Sequence, residues 1–433
     1  MKAIDPNEEA RRAANARVLA RLISVQPAWT AVRPAREALG LDRDHHMLLH
    51  AGPPLTDPCR PPPPLLASAV LCCLHEGWAS DVAAAQRLIA CGRVALRSAQ
   101  DFGAVTPLAA LISPSSALVE VTDLAAPGAQ SARLDQAAGG RAWSLLGSGA
   151  GPQLRFGSRD PAILPRLAWR DGPLARRLNA VLAAGPLPLL PLAAAGLAGG
   201  DDLHARTTAA NTALCERLLP ALDASRDGAG NAADGDDVQA VAQMLRQTPL
   251  FFLTLWMAAC HLMLGRAADG GRDAASTLVV ALAGNGERVG IRVAGQPHRW
   301  HTAPAAAPAG PPLNASAAAA TASPVVGDSG VIDALGCGGQ ALSGAPEIAG
   351  VLAPWLPADW PQRPGALLAG RHPGLAPQGL PVGLDAASVA PGREPLTAIA
   401  MIDAAGELGL LGRGLLVPPA ELFARAVRDI ATA

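Results

Sequence analysis

The sequence predicts a multidomain α+β protein, and three observations carry that assignment. The chain has 433 residues, of which half are hydrophobic and 16% charged, enough for two or three domains with a sizeable core. Helical and strand-like segments alternate up to about residue 150, whereas residues 160 to 265 show almost only helical spacing. A hairpin signal, Asn285-Gly286 between two β-rich runs, then opens the remainder. Three units are therefore expected: an N-terminal α/β domain over 1–150, a helical domain over 151–275 and a C-terminal mixed α+β domain over 276–433.

The elements follow in order. Residues 7–24 read as an amphipathic helix with Val18, Leu19, Leu22 and Ile23 on one side. Residues 28–32 read as a strand closed by Arg33-Pro34, and His50-Ala51-Gly52-Pro53-Pro54 as a rigid turn that presents amides near Gly52. Residues 65–77 are an apolar helix. A second helix follows, with Ser80 as its expected N-cap and Gly92 near its end. Residues 94–96 form a short strand, 108–112 a short helix and 117–121 a strand. In the middle block 163–169, 174–184, 201–219, 238–245 and 250–264 are expected helices. The last of these is apolar nearly all round and so buried. Residues 223–236, rich in Gly, Ala, Asp and Asn, read as a loop.

The stretch Ser276–Pro304 has the clearest local geometry. Residues 278–282 and 289–293 pair through the Asn-Gly turn. Val289, Ile291 and Val293 then face one way and Gly290, Arg292 and Ala294 the other. A loop presenting His298, Arg299, Trp300 and His301 follows; spacing alone favours an ordinary edge hairpin with exposed Arg and His. Residues 305–323 are low-complexity and read as a loop, and 354–380 as irregular. A glycine-rich turn, Gly336-Cys337-Gly338-Gly339, precedes an expected helix at Gln340. Residues 380–384, 396–401 and 415–417 suit strands, and 420–430 a closing amphipathic helix.

Composition excludes several classes. Net charge is −1, so nothing points to nucleic acid or to an anionic membrane. Lys2 is the only lysine, which removes Schiff-base chemistry from the body of the chain. The seven cysteines include no CxxC; an odd number in a long chain points to a reducing compartment, and the protein is expected to be cytoplasmic. The N-terminus lacks the apolar core of a signal peptide. Residues 180–199 carry Pro186, Pro188 and Pro191, and 249–264 falls short of the roughly 20 residues of a span, so neither is expected to cross a membrane. His298-x-x-His301 lacks a third ligand, and no metal or cofactor is expected. Cys59, Cys72, Cys73 and Cys260 are expected to pack.

Several segments, in order over about residues 20–417, carry a resemblance. They include Trp29-x-x-Val32-Arg33-Pro34-Ala35, His50-Ala-Gly-Pro-Pro54, His75-Glu-Gly-Trp78, Phe102-Gly-Ala-Val105 and Ile112-Ser-Pro114. They continue with His204-x-Arg206, Phe251-Phe252, Met257-Ala-Ala-Cys260, Asn285-Gly286 and Gly290-Ile-Arg-Val293. Arg299-Trp300-x-Thr302-Ala-Pro304, Gly327-Asp-Ser329 and Gly338-Gly339 complete the set. The chain resembles the YlbE-like (AllG) family, a subunit of oxamate carbamoyltransferase. It diverges from the family pattern at Cys59–Pro64, Ser98–Asp101 and Ala398–Asp403. The resemblance implies a cytoplasmic subunit of a multisubunit carbamoyltransferase acting on oxalurate, oxamate and carbamoyl phosphate in allantoin breakdown. Its partners would be the other subunits and a small anionic substrate; a homo-oligomer is compatible. A structural subunit without chemistry, or a divergent paralogue, is the alternative.

An anionic substrate calls for guanidinium forks and preorganised amides. Arg292 and Arg299, on and just after the hairpin, are the guanidinium candidates, although pairing with an acid such as Asp328 is the competing account. Asp328, Ser329, Gly338, Gly339 and Gly52 are candidates for binding through loops and amides. His204, expected on the 201–219 helix together with Arg206, becomes the candidate catalytic base or substrate contact in the light of the resemblance. The enzyme reading expects Arg292, Arg299, His204 and the glycine loop to converge.

Overall fold

Two sheets and one buried helix organise the molecule. The structure, a computed structural model, describes residues 6–42, 44–126, 140–224, 232–375 and 379–432. The first sheet has five strands, in the spatial order Ala104–Val105, Arg141–Leu145, Ala117–Asp123, Pro27–Pro34 and Leu187–Pro188. The second has four, in the order Gln296–Pro304, Arg288–Val293, Val279–Asn285 and Val326–Gly327. The helix Phe251–Ala268 packs against strands of both sheets and against the short helix Gly330–Leu335. Such a position leaves no polar face: 15 of its 18 residues are buried, which is why apolar residues run round it. It is the one described helix long and apolar enough to span a membrane, and it is instead the axis of the core. Trp29 of the first sheet meets Phe251 with ring centroids 6.4 Å apart. The chain is thus the α+β assembly its sequence predicts.

The hairpin forms through the turn chemistry of its sequence. Gly286 has φ +86°, and the Asn285 side-chain oxygen accepts from the amides of Glu287 (2.9 Å) and Arg288 (2.7 Å). Its amide nitrogen donates to Pro53 O at 2.9 Å, tying the hairpin to the His50–Pro54 turn. There only glycine fits at position 52, because a Cβ would lie 2.5 Å from the Gly284 carbonyl carbon.

Several expectations are corrected. Residues 298–301 lie within the third strand, Gln296–Pro304, so the hairpin is interior to its sheet. Residues 108–112 are not helical: Leu108 has φ +47°, and Ala109 N and Ile112 N donate to Arg155 O and Leu49 O. The cap of the Val82–Ala90 helix is Asp81, which accepts from Ala84 N, rather than Ser80. The helix expected from 201 begins only at Thr208. Residues 201–207 form a loop because Asp202 accepts from the amides of His204, Ala205 and Arg206, and Leu203 has φ +68°. Residues 232–236 belong to the helix Ala232–Gln247, whereas 225–231 lie outside the described residues. No α-helix starts at Gln340; the Gly330–Leu335 helix ends at Gly336 and a single 3₁₀ turn spans Gly338–Gln340. The irregular region holds a short helix, Arg363–Leu367, and a strand, Leu368–His372.

Candidate functional site

A cavity of about 480 Å³ opens where the His204 loop, the Leu154–Phe156 turn, the start of the central helix and the last strand pair meet. Its wall is largely apolar: Pro107, Leu108, Phe156, Leu250, Leu253, Ile399 and others. The polar groups are few, namely His204, Ser329, Arg155 and Arg413. A mostly apolar pocket with a few convergent polar groups is the usual form of a small-molecule site.

His204 is held by Asp333. The fully buried Asp333 carboxylate accepts from His204 Nδ1 at 2.7 Å, Gly339 N at 2.7 Å and Ala398 N at 3.1 Å. With Nδ1–H donating to a carboxylate, Nε2 is the ring nitrogen without a partner among the described residues. Burial pushes the His204 pKa down, but the Asp333 charge and hydrogen bond, helped by Asp202, more than offset this and leave it raised. The glycine run permits this approach. A Cβ on Gly338 would lie 2.3 Å from Asp333 Oδ1 and 3.1 Å from His204 Cβ. Ser329, 2% exposed, also lines the cavity.

Arg155 supplies the positive charge. It sits in the Leu154–Phe156 turn, which closes on Gly157 with φ +67° and is fixed by Ala109 N donating to Arg155 O at 3.0 Å. Its guanidinium lies 4.9 Å from the Phe156 ring centroid. The residue is half-buried, and desolvation lowers its pKa to about 10, so it stays charged at neutral pH. Among the described residues it has no carboxylate partner, and its Nε is enclosed without a hydrogen bond. About half of the other described arginines pair with a carboxylate; a half-buried cation without one, on a cavity wall, suits an anionic ligand. The sequence reading missed Arg155 because nothing in Leu154-Arg155-Phe156-Gly157 separates it from the many other arginines.

The remaining expected residues go elsewhere. Arg206 pairs with Asp201 and, at 2.9 Å, with Glu347. Arg292 pairs with Asp101 at 2.5 Å and stacks 4.3 Å over Trp300. Arg299 pairs with Asp429 at 2.8 Å and is exposed. The three amides expected to cradle an anion already donate inside the protein. Gly52 N goes to Asp328 Oδ1 (2.9 Å), Gly338 N to Asp202 O (2.7 Å) and Gly339 N to Asp333 Oδ1. Asp328 also accepts from Thr106 N and Gln100 Nε2, and burial raises its pKa to about 6 despite these three donors. Only His204 and Ser329 of the expected set line the cavity. Gly338 and Gly339 stand behind it, and Arg292 and Arg299 do not converge on it.

Among the described residues no group of three or more His, Cys, Asp or Glu is placed to hold a metal ion. A wider groove of about 510 Å³ runs past Arg33, Arg36, His75 and Asp171. There Arg33 bonds to Glu120 at 2.7 Å and His75 to Asp171 at 3.1 Å, while Arg176 on the same wall is solvent-exposed. The 480 Å³ cavity, with its unpaired guanidinium, is the better candidate.

The family model described as oxamate carbamoyltransferase subunit AllG matches residues 94–329, which include Arg155, His204 and Ser329. The Escherichia coli (strain K12) oxamate carbamoyltransferase subunit AllG is 31% identical over 337 residues, covering 77% of this chain and 75% of that protein. The uncharacterized protein YahG of the same strain is 28% identical over 431 residues, covering 96% and 85%. Among solved structures, a conserved protein of unknown function from Enterococcus faecalis V583 superposes with a TM-score of 0.85 over 99% of each chain, at 24% identity. That likeness shows the fold.

Proposed function

This chain belongs to the AllG family, oxamate carbamoyltransferase subunits, and on that premise we propose that it takes part in carbamoyl transfer and binds the small anionic substrate in the 480 Å³ cavity. A subunit works with other subunits, and those are its partners. The finer assignment is a carbamoyl exchange between oxamate and phosphate. The oxamate amide nitrogen forms a C–N bond to the carbamoyl carbon, and the C–O bond to phosphate breaks with its electron pair leaving on phosphate. His204 Nε2 takes the amide proton and, in the reverse direction, returns it to the departing nitrogen. Ser329 donates to the carbamoyl oxygen as charge builds there. Asp333 keeps His204 in the tautomer this requires and stabilises its cation. The reading includes a place in ureide breakdown in the cytoplasm.

One observation carries this proposal: His204 with its Asp333 partner, Ser329 and Arg155, which lacks a carboxylate among the described residues, line one cavity. The test is turnover of carbamoyl phosphate and oxamate by the enzyme reassembled with its partner subunits. Replacing His204 by Gln lowers kcat by about 10²- to 10⁴-fold if His204 moves the proton. A kcat within about threefold of the unsubstituted enzyme contradicts it. That result would select the second reading, an assembly subunit, which the exposed Leu313 (58%) and Leu408 (56%), flanking cavity segments, favour as partner-covered surface.

A further inference from the structure

Behind the Arg155 guanidinium lies a second, smaller chamber of about 30 Å³. It adjoins the large cavity at Pro107, Arg155 and Leu250, which line both. Two enclosed groups on its wall lack any hydrogen-bond partner, Arg155 Nε and Thr254 Oγ1. Thr254 is 4% exposed and sits on the first turn of the central helix, so its position is rigid. Arg170 adds a second cationic side chain, but Asp171 holds it at 2.6 and 2.9 Å. The opposite wall is backbone at 147–149. At Gly149 a Cβ would meet Met244 Cγ at 2.8 Å, so glycine lets this segment pack closely, and Arg166 donating to Ser148 O at 2.9 Å pins it. Enclosed donors without acceptors are costly unless an acceptor enters.

We propose that this chamber is the subsite for a carboxylate, and that Arg155 and Thr254 grip the acid end of the substrate while its amide end reaches the His204 side of the large cavity. The inference rests on the functional reading above and deepens it by assigning the orientation of the substrate. The chamber has room for about two waters, so a small group fits it best. A guanidinium fork matches two coplanar oxygens. The phosphate of the donor is then left to the larger cavity.

The test is calorimetric titration of the full chain with oxamate, with neutral oxamide and with inorganic phosphate. Oxamate binds and oxamide binds at least about tenfold more weakly, because it lacks the charge-assisted bonds. Arg155→Lys, which keeps the charge and loses the fork, weakens oxamate by about tenfold or more. Thr254→Val, nearly isosteric and expected to fold, weakens it by about two- to tenfold. Arg299→Ala, an exposed residue outside both cavities, leaves oxamate affinity within about threefold. The chamber is built from this chain alone, so absence of oxamate binding overturns the proposal. So does oxamate affinity unchanged in both Arg155→Lys and Thr254→Val, which would make the chamber a water site. So does phosphate that depends on Thr254 as strongly as oxamate. If the chamber variants bind normally while His204→Gln abolishes turnover in the assembled enzyme, this inference fails and the functional reading stands. If His204→Gln turns over normally while the chamber variants lose oxamate, the functional reading fails and the binding site stands.

Discussion

Replacing Asp333 by Asn asks the most of the structure. The carboxylate is fully buried and accepts three hydrogen bonds, from His204 Nδ1, Gly339 N and Ala398 N. Asparagine has nearly the same shape but only one acceptor oxygen. If that oxygen keeps the two backbone amides, its NH₂ confronts His204 Nδ1–H. His204 must then move its proton to Nε2, the wrong tautomer for a base facing the cavity. One charge-assisted bond is lost, about 1.5–3 kcal/mol, and the two others fall to neutral strength. The sum is about 3 kcal/mol of folding stability. Equilibrium urea unfolding near neutral pH measures it. The cost also has a pH signature. The folded-state pKa of His204 is raised, so the ion-pair stabilisation is fully present below about pH 6.5 and lost as pH rises through the folded value. The gap between wild type and Asp333→Asn should therefore narrow as pH rises. A cost under 1 kcal/mol, or a gap that widens with pH, refutes the reasoning.

Three further outcomes follow from the same geometry. Asp328 is buried with a pKa near 6 against an unfolded 3.8, so ionising it costs the folded state about 3 kcal/mol, a penalty that grows as pH rises from about 4 to 6. Urea midpoints of Asp328→Asn should lack that decline, and identical slopes for both proteins would disprove it. Arg292→Ala should cost about 1–2 kcal/mol, from a partly screened pair with Asp101 and the stack on Trp300, and leave oxamate affinity within about twofold; a large loss of affinity would return Arg292 to the site. Gly52→Ala drives a Cβ to within 2.5 Å of Gly284 at φ +79°, and a thermal melt should show a loss of about 3 kcal/mol or more, whereas a neutral result would mean the two turns are not packed as described.

The fold was legible where local chemistry decides it. Asn285-Gly286 specifies its turn by itself, and the all-round apolar 251–268 segment announces a buried axis. Local rules failed where distant groups satisfy the backbone. The segment from Asp201 has helical composition, yet Asp202 captures the amides of His204, Ala205 and Arg206 and delays the helix to Thr208. The site was only half legible. His204 and Ser329 were named, but the glycines proposed to cradle an anion instead make room for Asp333, a role visible only once 333 and 338 meet in space. Arg292 and Arg299 looked available because their partners, Asp101 and Asp429, lie more than 100 residues away in sequence. Arg155 carried no local mark at all. Its distinction is a place on the cavity wall with an enclosed, unbonded Nε, which sequence does not record.

The most direct measurement is a crystal structure of this chain with oxamate bound. The account predicts ligand density in the 480 Å³ cavity, with the carboxylate against Arg155 and Thr254 and the amide toward His204. Density in the groove beside Arg33 and His75, with the Arg155 cavity filled by solvent alone, would contradict it.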